Sequence, residues 1–354
     1  MTSPEPSASV RQPTKRETSI VLKMTRRRLG ALAGASVLLP RFAHAAEINW
    51  KFTSSQPAVH PSSVRYMEAA ERVKQKSGGK FEINVFHSGQ LGTDIDTFTQ
   101  VRIGGVHMMV LSNVITATGA PLTSALSMPF AFKNYDEVWR AADGPLQQLL
   151  RKDLEKAGYL TTNKILDSGF HHITNNKGPI NTVDDVQGLK LRAPPSPIQV
   201  STWKAIGAAP ASMNFSELYT ALQTGVVDGQ ESPASLTKTT RLYEVQKYIS
   251  VTGHLWDGWY TLINPKAFGR LPKDMQDLVM AEFDQAGLDV RKDLLALNTD
   301  ALKFMTEKGM ILNTVADTSS FRKKLQTVGF YKEWKEKLGP DVWKAIEDIS
   351  GPLA

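Results

Sequence analysis

Between Ile48 and Leu111 the sequence alternates strand and helix signals at a spacing that few architectures can accommodate. Ile48–Thr53 reads as a strand. Val64, Met67, Ala70 and Val73 recur at near-helical spacing within Ser62–Lys76, and Gly78-Gly79 stops that segment. Phe81, Ile83 and Val85 then alternate with Glu82 and Asn84, which is the period of a strand. Asp94 is placed to cap a helix running to Ile103, and Gly104-Gly105 separates it from a strand over Val106–Leu111. Strand, helix, strand, helix, strand at this spacing implies right-handed crossovers and a parallel sheet. Such sheets bind ligands beyond the carboxyl ends of their strands. That rule puts Ser54–Gln56, the loop Ser88–Gly92 and Ser112–Asn113 on one rim, with Gln56 and Ser112 as candidate ligand contacts.

The remaining pattern extends this to two lobes. Helices are expected at Asp136–Ala142 and Pro145–Lys156, followed by a strand over Leu160–Thr174 that crosses into a second lobe. Asp257–Asn264 alternates and returns the chain. From Lys273 to about Lys308 the helical pattern is interrupted only by Gly287, and a helix of that length can brace both lobes. The expected fold is α/β and two-lobed, with a hinge of several strands and a long helix bracing both lobes. Residues 46–170 with about 258–297 would form lobe I, and residues 171–257 with about 298–354 lobe II.

A chain of 354 residues can fill two such lobes, and 41% hydrophobic with 22% charged residues is a globular composition. The formal charge of +7 invites a nucleic-acid reading, but residues 1–45 carry +6 of it, so no nucleic-acid partner is expected. Thr25-Arg26-Arg27-Arg28-Leu29, the mild apolar run Gly30–Leu39 and Ala43-His44-Ala45 read as a cleavable export signal over residues 1–45, of twin-arginine type, with Met24 a possible true start. The run is too short to span a bilayer. The chain has no cysteine, which excludes disulfides, thiolate catalysis and Cys-based metal sites.

The densest cluster of signals is Arg192–Pro233. Arg192 ends the alternating segment Leu189–Arg192, and Pro194, Pro195 and Pro197 prevent the strand from continuing. Asn214 and Glu217 have capping-box spacing ahead of Leu218, Ala221 and Leu222 on one helical face. Val226-Val227 suits a short buried strand, and Asp228-Gly229 a turn.

GLKLRAPPSP (188–197) and MNFSELYTALQTGVVDGQESP (213–233) resemble the solute-binding proteins of TRAP (tripartite ATP-independent periplasmic) transporters. The resemblance covers roughly residues 47 to 345. It implies the type II periplasmic-binding-protein-like α/β fold and a periplasmic receptor that binds a small organic acid between two lobes and delivers it to permease subunits driven by an ion gradient, with no cofactor and no reaction. By resemblance Arg192 clamps the ligand carboxylate, through a rigid fork of donors that matches both oxygens. Phe215 sits where the family places an aromatic beside the ligand. Ser232 stands where the family commonly has asparagine, and offers one donor where asparagine offers two. His171 stands where many relatives have arginine, which weakens a second positive contact. That favours a monocarboxylate, or a ligand with a hydroxyl or keto group in place of a second acid. Trp256 is expected to cover an apolar or aromatic ligand body, and Asp257 to bind a hydroxyl or, less strongly indicated, a cation.

The competing class is a periplasmic esterase or lyase on a similar scaffold. It needs a nucleophile or general base held within hydrogen-bond reach, and no H-E-x-x-H, G-x-S-x-G, Walker A or G-x-G-x-x-G motif occurs. A receptor that reports occupancy to a sensor is a third reading, which neighbouring permease genes would separate from transport. His171-His172 is a poor metal pair, because neighbours on a strand face opposite ways.

Overall fold

The computed structural model describes residues 47–315 and 317–353; the expected export signal lies outside them. β1 (Ile48–Thr53) pairs in parallel with β2 (Phe81–Phe86) and with β3 (Met108–Ser112). β4 (Leu160–Thr161) and β5 (Leu166–Asn175) divide what the sequence presents as one strand. β6 (Lys190–Ala193), β7 (Ala209–Ser212) and β8 (Gly229–Pro233) form a second parallel group, followed by β9 (Tyr248–Val251), β10 (Trp256–Ile263) and β11 (Ile311–Thr314). The main order is β2-β1-β3-β10-β5-β8-β6-β7. β10 runs antiparallel to both β3 and β5, and β5 antiparallel to β8. The two parallel groups are thus joined through the antiparallel strands β10 and β5, a hinge of more than one strand.

The helices sit where their apolar faces are used. Pro61–Lys76 buries Tyr66, Ala69, Ala70 and Val73 against Phe52, Phe81 and Phe283. Lys273–Glu307 is a single 35-residue helix. It packs on the Pro61–Lys76 helix, on β5 and on the short helix Ala234–Thr239, so it spans both parallel groups. Arg65 clasps it with a two-point contact, Nε to Asp293 Oδ2 at 2.7 Å and Nη2 to Oδ1 at 3.2 Å. Gly287 allows the close pass that this packing needs: a Cβ there would lie 3.2 Å from the Lys164 carbonyl oxygen.

Several local expectations change. Thr93, not Asp94, caps Asp94–Ile103, in a box with Asp96. Asp94 at the first helical position is thereby free for other contacts. Asn214 gives its side chain to Glu217 instead of a backbone N–H, and the turn Phe215–Glu217 is 3₁₀ before the helix Leu218–Gln223 begins. Val226 is 61% exposed and belongs to no strand; the buried strand is the polar segment Gly229–Pro233. Gly229 is not at a turn. A Cβ on it would sit 2.2 Å from the Thr174 carbonyl oxygen, so the glycine serves the close approach of β8 to β5. The chain end also divides: β11 pairs β9 in the second group, whereas Phe330–Ser350, kinked at Gly339-Pro340, packs on Tyr135–Ala142 and Pro145–Lys156 beside the first.

Candidate functional site

The carboxyl ends of β1 and β3 and that of β6 face a common cleft, with β5, β8 and β10 at its back. Ser55, Gln56, Ser112, His171, Arg192, Phe215, Ser232 and Asp257 line it, together with Asp94, Glu231 and the apolar Val110, Ile115, Leu236 and Trp259. Seven of the eight residues singled out from sequence are therefore brought together. Trp256 is the exception. It is buried on the opposite side of β10, where Nε1 donates to Asp167 Oδ1 at 2.7 Å and the ring meets Trp139 edge-on. Alternation along β10 sends Trp256 into the core and turns Asp257 and Trp259 towards the cleft. The aromatic wall is Trp259, which the same alternation could have identified once Asp257 was chosen.

Arg192 is 4% exposed. Among the described residues its guanidinium makes one hydrogen bond, Nε to the Met213 carbonyl at 3.1 Å. That bond fixes the plane and leaves the two terminal nitrogens unengaged, with the Phe215 ring centroid 5.8 Å from Cζ. Burial pushes the guanidinium down to about 10, offset in part by Glu231, Asp94 and Glu217, so it stays charged at neutral pH.

Behind Arg192 lies a buried network that sequence reasoning missed. His171 Nδ1 bonds Glu231, and His254 Nε2 lies 3.4 Å from the same carboxylate oxygen. Burial works against both charges. Even so, the His171–Glu231 attraction holds the imidazole above its usual range and the carboxyl down at about 2. His254 itself is lowered by burial. His171 thus carries a charge, as an arginine there would, but Glu231 neutralises it. Only the tertiary pairing of β5 with β8 places these two residues together, sixty positions apart in the chain.

Asp257 Oδ1 accepts from Ser112 Oγ at 3.0 Å, and Oδ2 stands 3.9 Å from His171 Nε2. Burial raises its pKa to about 7 against the pull of His171. Burial also raises Asp94, opposed by Ser55 and Arg192. Among the described residues no group of three or more His, Asp or Glu is placed to hold a metal ion. Ser232 Oγ is engaged with Thr237 Oγ1 at 2.9 Å. Gln56 Oε1, His171 Nε2 and Glu231 Oε1 are buried without hydrogen-bond partners. The cleft opens outward into a vestibule bounded by Ser88, Gly89, Gly92, Phe215, Tyr219 and Arg241. Ser88 and Arg241, at φ 54° and 61°, hold the left-handed backbone that few non-glycine residues adopt.

The family model for bacterial extracellular solute-binding proteins, family 7, matches residues 52–337. An uncharacterized protein, y4mM, of Sinorhizobium fredii is 33% identical over 311 residues, 86% of this chain; the chain spans 57% of that relative's length. The C4-dicarboxylate-binding periplasmic protein DctP of Rhodobacter capsulatus is 30% identical over 334 residues, covering 92% of this chain and 98% of that one. The crystal structure of a TRAP periplasmic solute-binding protein from Sulfitobacter sp. NAS-14.1 with bound β-D-galacturonate superposes with a TM-score of 0.81 at 28% identity, covering 86% of this chain and 100% of the other. With the two-lobed fold and a cleft built around an unengaged buried arginine, these matches show that the chain belongs to family 7 of the bacterial extracellular solute-binding proteins, carboxylate receptors of TRAP transporters and not enzymes.

Proposed function

We propose that this receptor binds a small hydroxylated monocarboxylate, with the carboxylate on Arg192. The reading rests on one observation: a buried guanidinium oriented by Met213 presents two free nitrogens to a cleft that otherwise carries carboxyl groups. Glu231, Asp257 and Asp94 give a second ligand carboxylate no favourable place, and they accept hydroxyl protons well. The unpartnered Gln56 and His171 atoms ask for the same kind of group. Trp259, Phe215 and Val110 suit the carbon face of a hydroxylated chain or ring. This replaces the expected apolar or aromatic body, which the sugar acids and dicarboxylates held by solved relatives do not support, with a polar one that has an apolar side, in line with the galacturonate held by the Sulfitobacter protein.

In this reading the ligand is enclosed as the lobes close, and closure is favoured only by its differential affinity for the closed form. Lobe I comprises residues 46–170 with about 258–297 and the helix Phe330–Ser350; lobe II comprises the rest of the mature chain. The protein is periplasmic, exported through the 1–45 signal, and hands its ligand to TRAP permease subunits.

A thermal-shift screen of the mature protein against sugar acids, hydroxy acids and dicarboxylates tests this. A ligand at 100 times its Kd stabilises the fold by about 2.7 kcal/mol. The expected hit is a hydroxy-monocarboxylate whose shift disappears in Arg192→Ala. A preference for succinate, or a shift that survives Arg192→Ala, would refute the proposal.

A further inference from the structure

His171 and His172 are adjacent on β5, and only His171 faces the cleft. His172 lines a different pocket on the rear of the hinge strand, a cavity of about 660 Å³ between β5, the loop Phe130–Tyr135, the long helix and the start of helix Ser319–Thr327. Its walls are Phe130, Phe132, Tyr135 and Phe170, with Leu295 and Leu302 along the long helix. Leu295 is 53% exposed, so the apolar wall of the pocket reaches the surface.

The charges of this pocket have one sign. Lys133 and Arg322 line it, and no Asp or Glu does. Arg322 gives one guanidinium nitrogen to the Pro352 carbonyl, and neither cation forms an ion pair among the described residues. Acids in the flanking segments are engaged: Glu137 accepts from the backbone N–H of Lys133 itself at 2.9 Å. Asp317 holds Ser319, and Asp167 lies behind Tyr135, accepting its hydroxyl, with its pKa raised by burial to about 7. His172 Nδ1 accepts from the Gly253 N–H, which leaves the ring proton on Nε2 and the imidazole neutral. Two unpaired cations and a neutral donor over four aromatic rings complement an anion with a flat apolar body. The cleft, with its three carboxyl groups, complements a different molecule.

We infer that the rear pocket is a second binding site, for a small aromatic carboxylate, separate from the solute cleft. It shares its walls with the hinge. Asn298, in the pocket, donates to the carbonyl of the cleft residue Ser168, and the Phe130 N–H donates to the His254 carbonyl at 2.7 Å. An occupant there would therefore touch the strands that join the two lobes.

The test is a ligand-observed NMR titration of the whole chain with benzoate, and with neutral benzamide as control. Benzoate should bind, benzamide at least tenfold more weakly, and benzoate binding should persist in Arg192→Ala. Lys133→Glu, at an exposed position, should weaken it tenfold or more. Leu295→Trp, also at the surface, should block it by filling the pocket, while leaving cleft binding unchanged. Absence of benzoate binding would overturn the inference. So would binding that Arg192→Ala removes and Lys133→Glu and Leu295→Trp leave intact, since the probe would then occupy the cleft.

Discussion

Arg192 and Gly229 lie one register step apart on the paired strands β6 and β8 and owe their positions to different physics. Arg192 is the penultimate residue of β6, which has β7 on one side and β8 on the other, so its backbone is fixed by hydrogen bonds on both edges. The prolines that follow turn the chain away and leave the side chain at the rim. Gly229 opens β8, and its missing side chain is what allows β8 to lie between β5 and β6. Gly229→Ala would bring a methyl group to 2.2 Å from a backbone oxygen. A clash with backbone cannot be relieved by a rotamer change, so the variant should lose about 1–3 kcal/mol or more of stability. Urea unfolding with an unchanged m-value checks this. Because Glu231 and Ser232 lie on the displaced strand, ligand affinity should fall as well.

At the scale of elements, the long helix matters most. It buries Val279, Phe283, Ala286, Val290 and Leu294 on the first parallel group, and Ala301 and Met305 on the second. Between these stretches Asn298 acts as the polar pin. Its Oδ1 accepts from the Ser235 N–H at 2.9 Å and its Nδ2 donates to the Ser168 carbonyl at 3.3 Å. Asn298→Ala removes partners from two part-buried backbone groups, a cost of about 1–3 kcal/mol. The expected outcome is a lowered Tm together with weaker solute binding, since Ser168 lines the cleft. A variant with an unchanged Tm would show that water replaces both bonds.

At the scale of the whole molecule, buried titratable groups of opposite behaviour set the pH response. His60 and His172 are both pushed to about 3 by burial, so from about pH 3 to 6.5 the unfolded chain binds more protons at these sites and stability rises with pH. Asp167 and Asp257, raised to about 7 by burial, act in reverse: their contribution is full below the unfolded value near 3.8 and is lost as pH rises through 7. Over about pH 4.5–6 the two imidazoles and two carboxyls nearly cancel. Glu231, lowered to about 2, contributes stability above 4.5 that is lost as pH falls towards 2, so that acid unfolding sets in below about pH 4. A Tm profile flat between about pH 4.5 and 6 and falling steeply below 4 is expected from calorimetry. A steady rise across the plateau would show that the two aspartates are ionised in the native state.

The sequence by itself determined what depends on local periodicity. Alternation located β2 and β10, helical spacing located Pro61–Lys76 and the 35-residue helix, and the motif around Arg192 pointed to the family. These signals are legible because a strand or helix declares its buried face within a few residues. Only the tertiary structure decided that Val226-Val227 stays outside the sheet while the polar Gly229–Pro233 enters it, because β5 and β6 supply the hydrogen bonds and burial that a local pattern cannot. The tertiary structure also sent Trp256 into the core and Trp259 to the cleft. It brought Glu231 and His254 to His171, and set His172 on a rear wall of its own. Each of these depends on which strand lies beside which, and that is fixed by contacts between residues far apart in the chain.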